Sequence, residues 1–120
     1  MFKAILRASL ILLASFTLAQ ANALENSLIQ GVKFLDDVPE VGWYRADGKS
    51  LIIGWKGIPR LFPHTNRKAA IRAALSTGSE IHVWAVRHSQ KKWAVGSGKS
   101  PICSVTAKNN GRIITDTCPY

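Results

Sequence analysis

The sequence predicts a small mainly-β or α+β domain, a barrel of short strands with one helix between the third and fourth strands and a disulfide-linked C-terminal hairpin. Three observations carry this expectation. Turn dipeptides, Asp47-Gly48 and Asn110-Gly111, separate short stretches rich in β-branched and aromatic residues. One Ala-rich segment in mid-chain has helix punctuation at both ends. The only two cysteines, Cys103 and Cys118, flank the second of those turns.

The 120 residues carry 16 Lys and Arg against seven Asp and Glu, a net charge of +9. Lys3 and Arg7, an apolar run from Ala8 to Leu18, and the small-residue stretch Ala19-Gln20-Ala21-Asn22-Ala23 have the three-part layout of an export signal. We expect residues 1–23 to be that signal, with cleavage after Ala23 or Ala21. Its apolar run, interrupted by Ser9, Ser15 and Thr17, is far short of the roughly 20 residues that span a bilayer, so no membrane span is expected. Loss of Lys3 and Arg7 leaves +7 on a single domain, residues 24–120, placed in the periplasm or outside the cell. A composition of 47% hydrophobic residues with four Trp supports a packed core and excludes a disordered basic tail. The length excludes a two-domain enzyme.

The elements follow in order. Leu28 to Leu35 reads as a first strand, closed by Asp36-Asp37-Val38-Pro39. Val41 to Ala46 and Lys49 to Trp55 form a hairpin around Asp47-Gly48. Trp43, Arg45 and Ile52 share one parity there. Tyr44, Leu51, Ile53 and Trp55 share the other, and this more continuously apolar set is the expected core face. Thr65 or Asn66 caps a helix that ends at Gly78, with Ile71 and Leu75 laid on the sheet and Arg67, Lys68 and Arg72 outward. Ile81 to Arg87 and Lys92 to Val95 make a third hairpin around Ser89-Gln90. In the last hairpin, pairing outward from Asn110-Gly111 sets Cys103 opposite Cys118, within disulfide reach in an oxidising compartment. Seven short strands with the helix between the third and fourth match the order of the oligonucleotide and oligosaccharide-binding (OB) barrel.

Leu61-Phe62-Pro63-His64-Thr65-Asn66-Arg67, the helix, and Ser76-Thr77-Gly78-Ser79-Glu80-Ile81-His82-Val83 resemble the helix, Thr-Gly turn and fourth strand of the OB-fold B subunits of secreted bacterial AB-type toxins. The resemblance implies receptor recognition at a cell-surface glycan, a ring of five subunits, and an enzyme on a separate chain. The sequence departs from that pattern in the position of its disulfide and in its strongly basic charge.

Chemistry-bearing motifs are sparse. Gly96-Ser97-Gly98-Lys99-Ser100 ends like a phosphate-binding loop, but Trp93 stands where its first Gly belongs, and Pro101 precedes a strand rather than a helix. No Gly-x-Ser-x-Gly elbow is present. His82 and His88 lie about 20 Å apart along one extended strand, too far to share a proton or a metal ion, while Glu80 and His82 form an exposed pair. We therefore expect no enzyme activity, no cofactor and no metal.

The third hairpin places Trp84 and Trp93 on the face that carries His82, His88 and Lys91, away from Ile81, Val83 and Ala85. Trp84, Trp93, Arg87, His88, Lys91 and Lys92, with Trp43 and Arg45 from the second hairpin, are the candidate ligand-binding residues, because indole beside cation stacks on sugars or docks on protein. The expected partner is an anionic glycan or a cell-surface receptor. The alternative is an inhibitor or immunity-type role on an acidic envelope enzyme, with charge steering the encounter. Single-stranded nucleic acid suits a basic OB barrel, but the export signal counts against it. Unpaired edge strands would also allow a homo-oligomer.

Overall fold

The computed structural model describes residues 22–119. The expected export signal lies outside these residues apart from Asn22 and Ala23, which are helical. No helix among the described residues is long and apolar enough to cross a membrane.

The architecture is α+β in two layers. Residues 22–31 form α1, followed by a 3-10 turn, Lys33–Asp37. Strands β1 (Val41–Asp47) and β2 (Ser50–Trp55) lead into α2 (Phe62–Thr77), then β3 (Ile81–Arg87), β4 (Cys103–Ala107) and β5 (Ile113–Asp116). The five strands lie in chain order in one sheet, antiparallel except for the parallel pair β2 and β3.

This corrects the expected barrel. The sheet is open, with β1 and β5 as its two edges, and α2 falls between the second and third strands rather than the third and fourth. The physical reason is the parallel pair: adjacent parallel strands need a crossover across one face of the sheet, and α2 supplies it. A helix covering one face leaves the edges free instead of curling them together.

The first expected strand, Leu28 to Leu35, is α1 and the 3-10 turn. Leu28, Val32 and Leu35 are fully or almost fully buried and recur at helical spacing, so one stripe meets the core. In α2, the cap lies earlier than expected, at Leu61, with Pro63 in the first turn where no intrahelical N–H is required. Thr65 and Asn66 are consequently interior and buried. Ala69, Ala70, Ala73 and Ala74, not Ile71 and Leu75, lie against the sheet, and Leu75 is 58% exposed. Small side chains let the helix axis approach β3 and β4 closely. Gly78 ends the helix with φ 66°, its N–H donating to the Ala74 carbonyl.

The expected parities of β1 and β2 hold. Tyr44 and Ala46 accompany Leu51, Ile53 and Trp55 on the helix side, where they join Ile81, Val83, Ala85, Cys103 and Val105. Trp43, Arg45 and Ile52 face the other way. Gly54 makes room there, since a Cβ at that position would overlap the Trp43 indole. Phe62 is fully buried and meets Trp55 edge-on, with ring centroids 4.8 Å apart.

Cys103 and Cys118 are joined, with Cα atoms 4.8 Å apart. Val105 opposite Asp116 and Thr106 opposite Thr115 keep the expected register, and an irregularity near the turn absorbs one residue. Asn66, fully buried on α2, accepts the Trp55 indole N–H at 3.2 Å and points its amide at both sulfurs at 3.8 Å. The disulfide thus lies between the last hairpin and the helix.

Reducing the disulfide, which closes a 15-residue separation, should lower stability by about 3 kcal/mol in a denaturant titration, mainly by freeing the unfolded chain. Tyr44 donates to Asp36 at 2.8 Å, and burial, with that carboxylate's help, pushes its pKa up to about 12. The unfolded chain then ionises at this position first, so stability should fall as pH rises from about 10 to about 12. Tyr44→Phe should flatten that slope in thermal melts across the same range.

Candidate functional site

The face of the sheet away from the helices is divided. Part of it is covered; on the rest His82, Trp84 and Ser104 are half-buried and Thr106 is buried. Cover comes from residues 88–102, which follow β3 and were expected to hold a strand from Lys92 to Val95 but form turns and irregular backbone instead. Two glycines in this stretch have positive φ, Gly96 at 84° and Gly98 at 79°, which suits a looped path rather than a ladder.

Trp93 anchors the cover. It is 5% exposed and packs with Ile52 and Val86 in a second small core, against Trp43 and Trp84. Trp93 was expected to project towards solvent; it is buried because the loop folds it back onto the apolar patch that β2 and β3 leave on this face. Its indole N–H donates to the Lys99 carbonyl at 3.0 Å.

Trp43 and Arg45 hold the same loop. The Trp43 indole donates to the His88 carbonyl at 2.9 Å, and Arg45 donates to the Lys91 carbonyl at 2.8 Å and to the Trp93 carbonyl. The Arg45 guanidinium also sits 5.1 Å from the Trp43 ring centroid. These two side chains spend their donors on backbone. Their role in the fold is to clamp the loop.

Trp84 is half-buried and stands at the boundary. On one side it meets Trp93, with centroids 5.6 Å apart; on the other it stacks on His82, at 6.4 Å and an interplanar angle of 29°. Its indole donates to Ser50 Oγ at 3.2 Å. His82 Nδ1 lies 2.9 Å from Thr106 Oγ1, and its Nε2 lies 3.6 Å from Glu80, both side chains of the expected Glu80 and His82 pair being open to solvent. Register puts Ser104 opposite Trp84, and Thr115 opposite Thr106, on this same face. The result is a row of three rings bordered by hydroxyls.

The far end of the row meets cations. Ser89, Gln90, Lys91, Lys92, Trp93, Ser97 and Lys99 line a basin of about 380 Å³, of which Trp93 is the wall shared with Trp84. Arg87 and His88 belong elsewhere, to a crevice beyond the ends of β2 and β3. The eight candidate residues therefore separate into a ring row with its basin (Trp84, Trp93, Lys91, Lys92), a clamp (Trp43, Arg45) and a crevice (Arg87, His88).

Ser50, Ser104 and Thr106 were not among the candidate residues, and Lys99 entered only within the Gly96–Ser100 stretch. The hydroxyls alternate with core residues along their strands, a signal that was present but common to any half-exposed sheet. Among the described residues, no three His, Cys, Asp or Glu side chains gather into a cluster that could hold a metal ion. Charge is segregated: twelve Lys and Arg but no carboxylate occur between Asp47 and Glu80 and between Glu80 and Asp116. Compared with protein families, curated proteins and solved structures, the chain matches none.

Arg45→Ala should release the loop. Backbone amides of residues 89–99 should exchange with deuterium at least tenfold faster in the variant, while those of β3 and β4 keep their protection, because only the clamp is lost.

Proposed function

We propose that this chain is an exported binding protein that takes an anionic glycan on the open face of its sheet. The stacked, half-buried pair His82 and Trp84, backed by the buried Trp93 that borders the lysine basin, carries this reading. A sugar ring offers C–H groups that stack on indole and hydroxyls that exchange hydrogen bonds with Ser50 and Ser104. Carboxylate or sulfate substituents then find Lys91, Lys92 and Lys99, with no acidic side chain between Glu80 and Asp116 to oppose them. The role is binding, with no catalytic step assigned to any residue. It is the same class of role as that of receptor-binding toxin B subunits, reached on an open sheet rather than a closed barrel.

A second reading rests on the carboxylate-free stretches themselves. Their twelve cations suit an inhibitor or immunity-type protein that is steered onto an acidic enzyme of the cell envelope.

Binding to a panel of sialylated and sulfated glycans separates the two. Trp84→Ala should weaken binding about tenfold or more, a loss of about 1.4 kcal/mol or more, as for an aromatic hot spot. Lys91→Glu with Lys92→Glu should abolish the preference for charged glycans. A protein that ignores the whole panel yet captures one acidic envelope enzyme at nanomolar strength overturns the first reading in favour of the second.

A further inference from the structure

Among the described residues the one parallel pair of strands ends at Trp55 and Arg87. Beyond those ends the chain diverges: β2 leads to α2 on the helix face, and β3 leads to the loop that covers the other face. Neighbouring parallel strands whose connections leave on opposite faces open a crevice outside their carboxyl ends, where open α/β sheets bind ligands. Here that crevice has a volume of about 330 Å³ and is lined by Lys56, Ile58, Arg87, His88, Ser89 and Ile102, among others.

Its polar lining is dominated by donors. Among the described residues, neither Lys56 nor Arg87 forms an ion pair. The Trp55 carbonyl already accepts the His88 N–H at 2.8 Å. His88 is more specific still. Its Nδ1 is the one buried side-chain nitrogen or oxygen without a partner among the described residues. The ring is pressed by that edge onto Gly42, where a Cβ would overlap Nδ1. A proton on Nδ1 would be a buried donor with no acceptor, so the neutral ring carries its proton on Nε2, away from Gly42. Lys56, Arg87 and His88 line one concavity together, while Ile58, 62% exposed, and Ile102 supply its apolar wall.

We propose that this crevice binds an oxyanion, a carboxylate, phosphate or sulfate group, carried by a small ligand whose apolar part rests on Ile58 and Ile102. The site is separate from the Trp84 row and does not depend on the glycan reading.

NMR tests it directly on the disulfide-linked protein. Long-range proton–nitrogen correlation should place the His88 proton on Nε2. Titration with sodium phosphate, sulfate or acetate at constant ionic strength should shift the His88 ring and the Arg87 amide saturably. Lys56→Ala and Arg87→Ala should each weaken that response at least tenfold, and Lys108→Ala, beyond the other end of the β3–β4 pair, should leave it unchanged. Preference for phosphate or sulfate over acetate assigns a phosphorylated or sulfated ligand; the reverse order assigns a carboxylate. A proton on Nδ1, no saturable shift at His88 with any of the three anions, or an equal shift in the Lys56→Ala/Arg87→Ala double variant would overturn the proposal.

Discussion

The parallel pairing of β2 with β3 is the constraint from which the rest of the structure follows. A hairpin cannot join strands that run the same way, so the chain must cross the sheet, and α2 is the crossing. Its alanine stripe seats it close on β3 and β4. With one face taken by α1 and α2, the apolar residues that β2 and β3 turn to the opposite face, Ile52 and Val86, need a cover of their own. The loop after β3 provides it with Trp93. Two faces, two covers and a gap between their connections account for the ring row, the basin and the crevice together.

Magnitudes separate the ties that matter from those that decorate. Arg67 and Asp116 are paired across α2 and β5 with both side chains partly open to water, and such a pair contributes about 0–1 kcal/mol. Arg45 spends its charge differently, on backbone carbonyls of an irregular loop that has no ladder of its own. Hydrogen bonds from a charged donor are worth about 1.5–3 kcal/mol each, enough to decide whether such a loop stays closed. The helix face relies on burial instead, with Phe62, Leu51, Ile53 and Val83 fully inaccessible. Burying side chains of this size contributes about 1.5–3 kcal/mol apiece.

Much of this was legible in the residues. Asp47-Gly48 marked a hairpin whose two parities are those observed, because alternation along paired strands is fixed by the pleat. Cys103 and Cys118 pointed to each other across the second turn for the same reason, and Gly78 marked the end of α2. Strand direction was not legible, since nothing local distinguishes a strand that will pair in parallel from one that will turn back. Nor did the hairpin expected around Ser89-Gln90 form, which would have set Trp93 and Val86 on paired strands. The two do meet, but through a folded loop rather than a ladder. Leu28, Val32 and Leu35 carried a helical period that the β-branched Ile29 and Val32 and the break at Gly31 obscured. Gly31 in fact lies where α1 approaches Ser76 of α2. Of the candidate site, the indoles and lysines were visible in advance, whereas the division into row, clamp and crevice required knowing where the loop goes.

The basin and the crevice both require that loop to be folded down onto the sheet. Hydrogen exchange of the four indole N–H groups, resolved by NMR, reads this position by position. The folded loop predicts slow exchange at Trp43 and Trp93, whose N–H groups are bonded to loop carbonyls, alongside the buried Trp55. Exchange at Trp43 and Trp93 many times faster than at Trp55 would mean that the loop stands away from the sheet, and would contradict a folded loop.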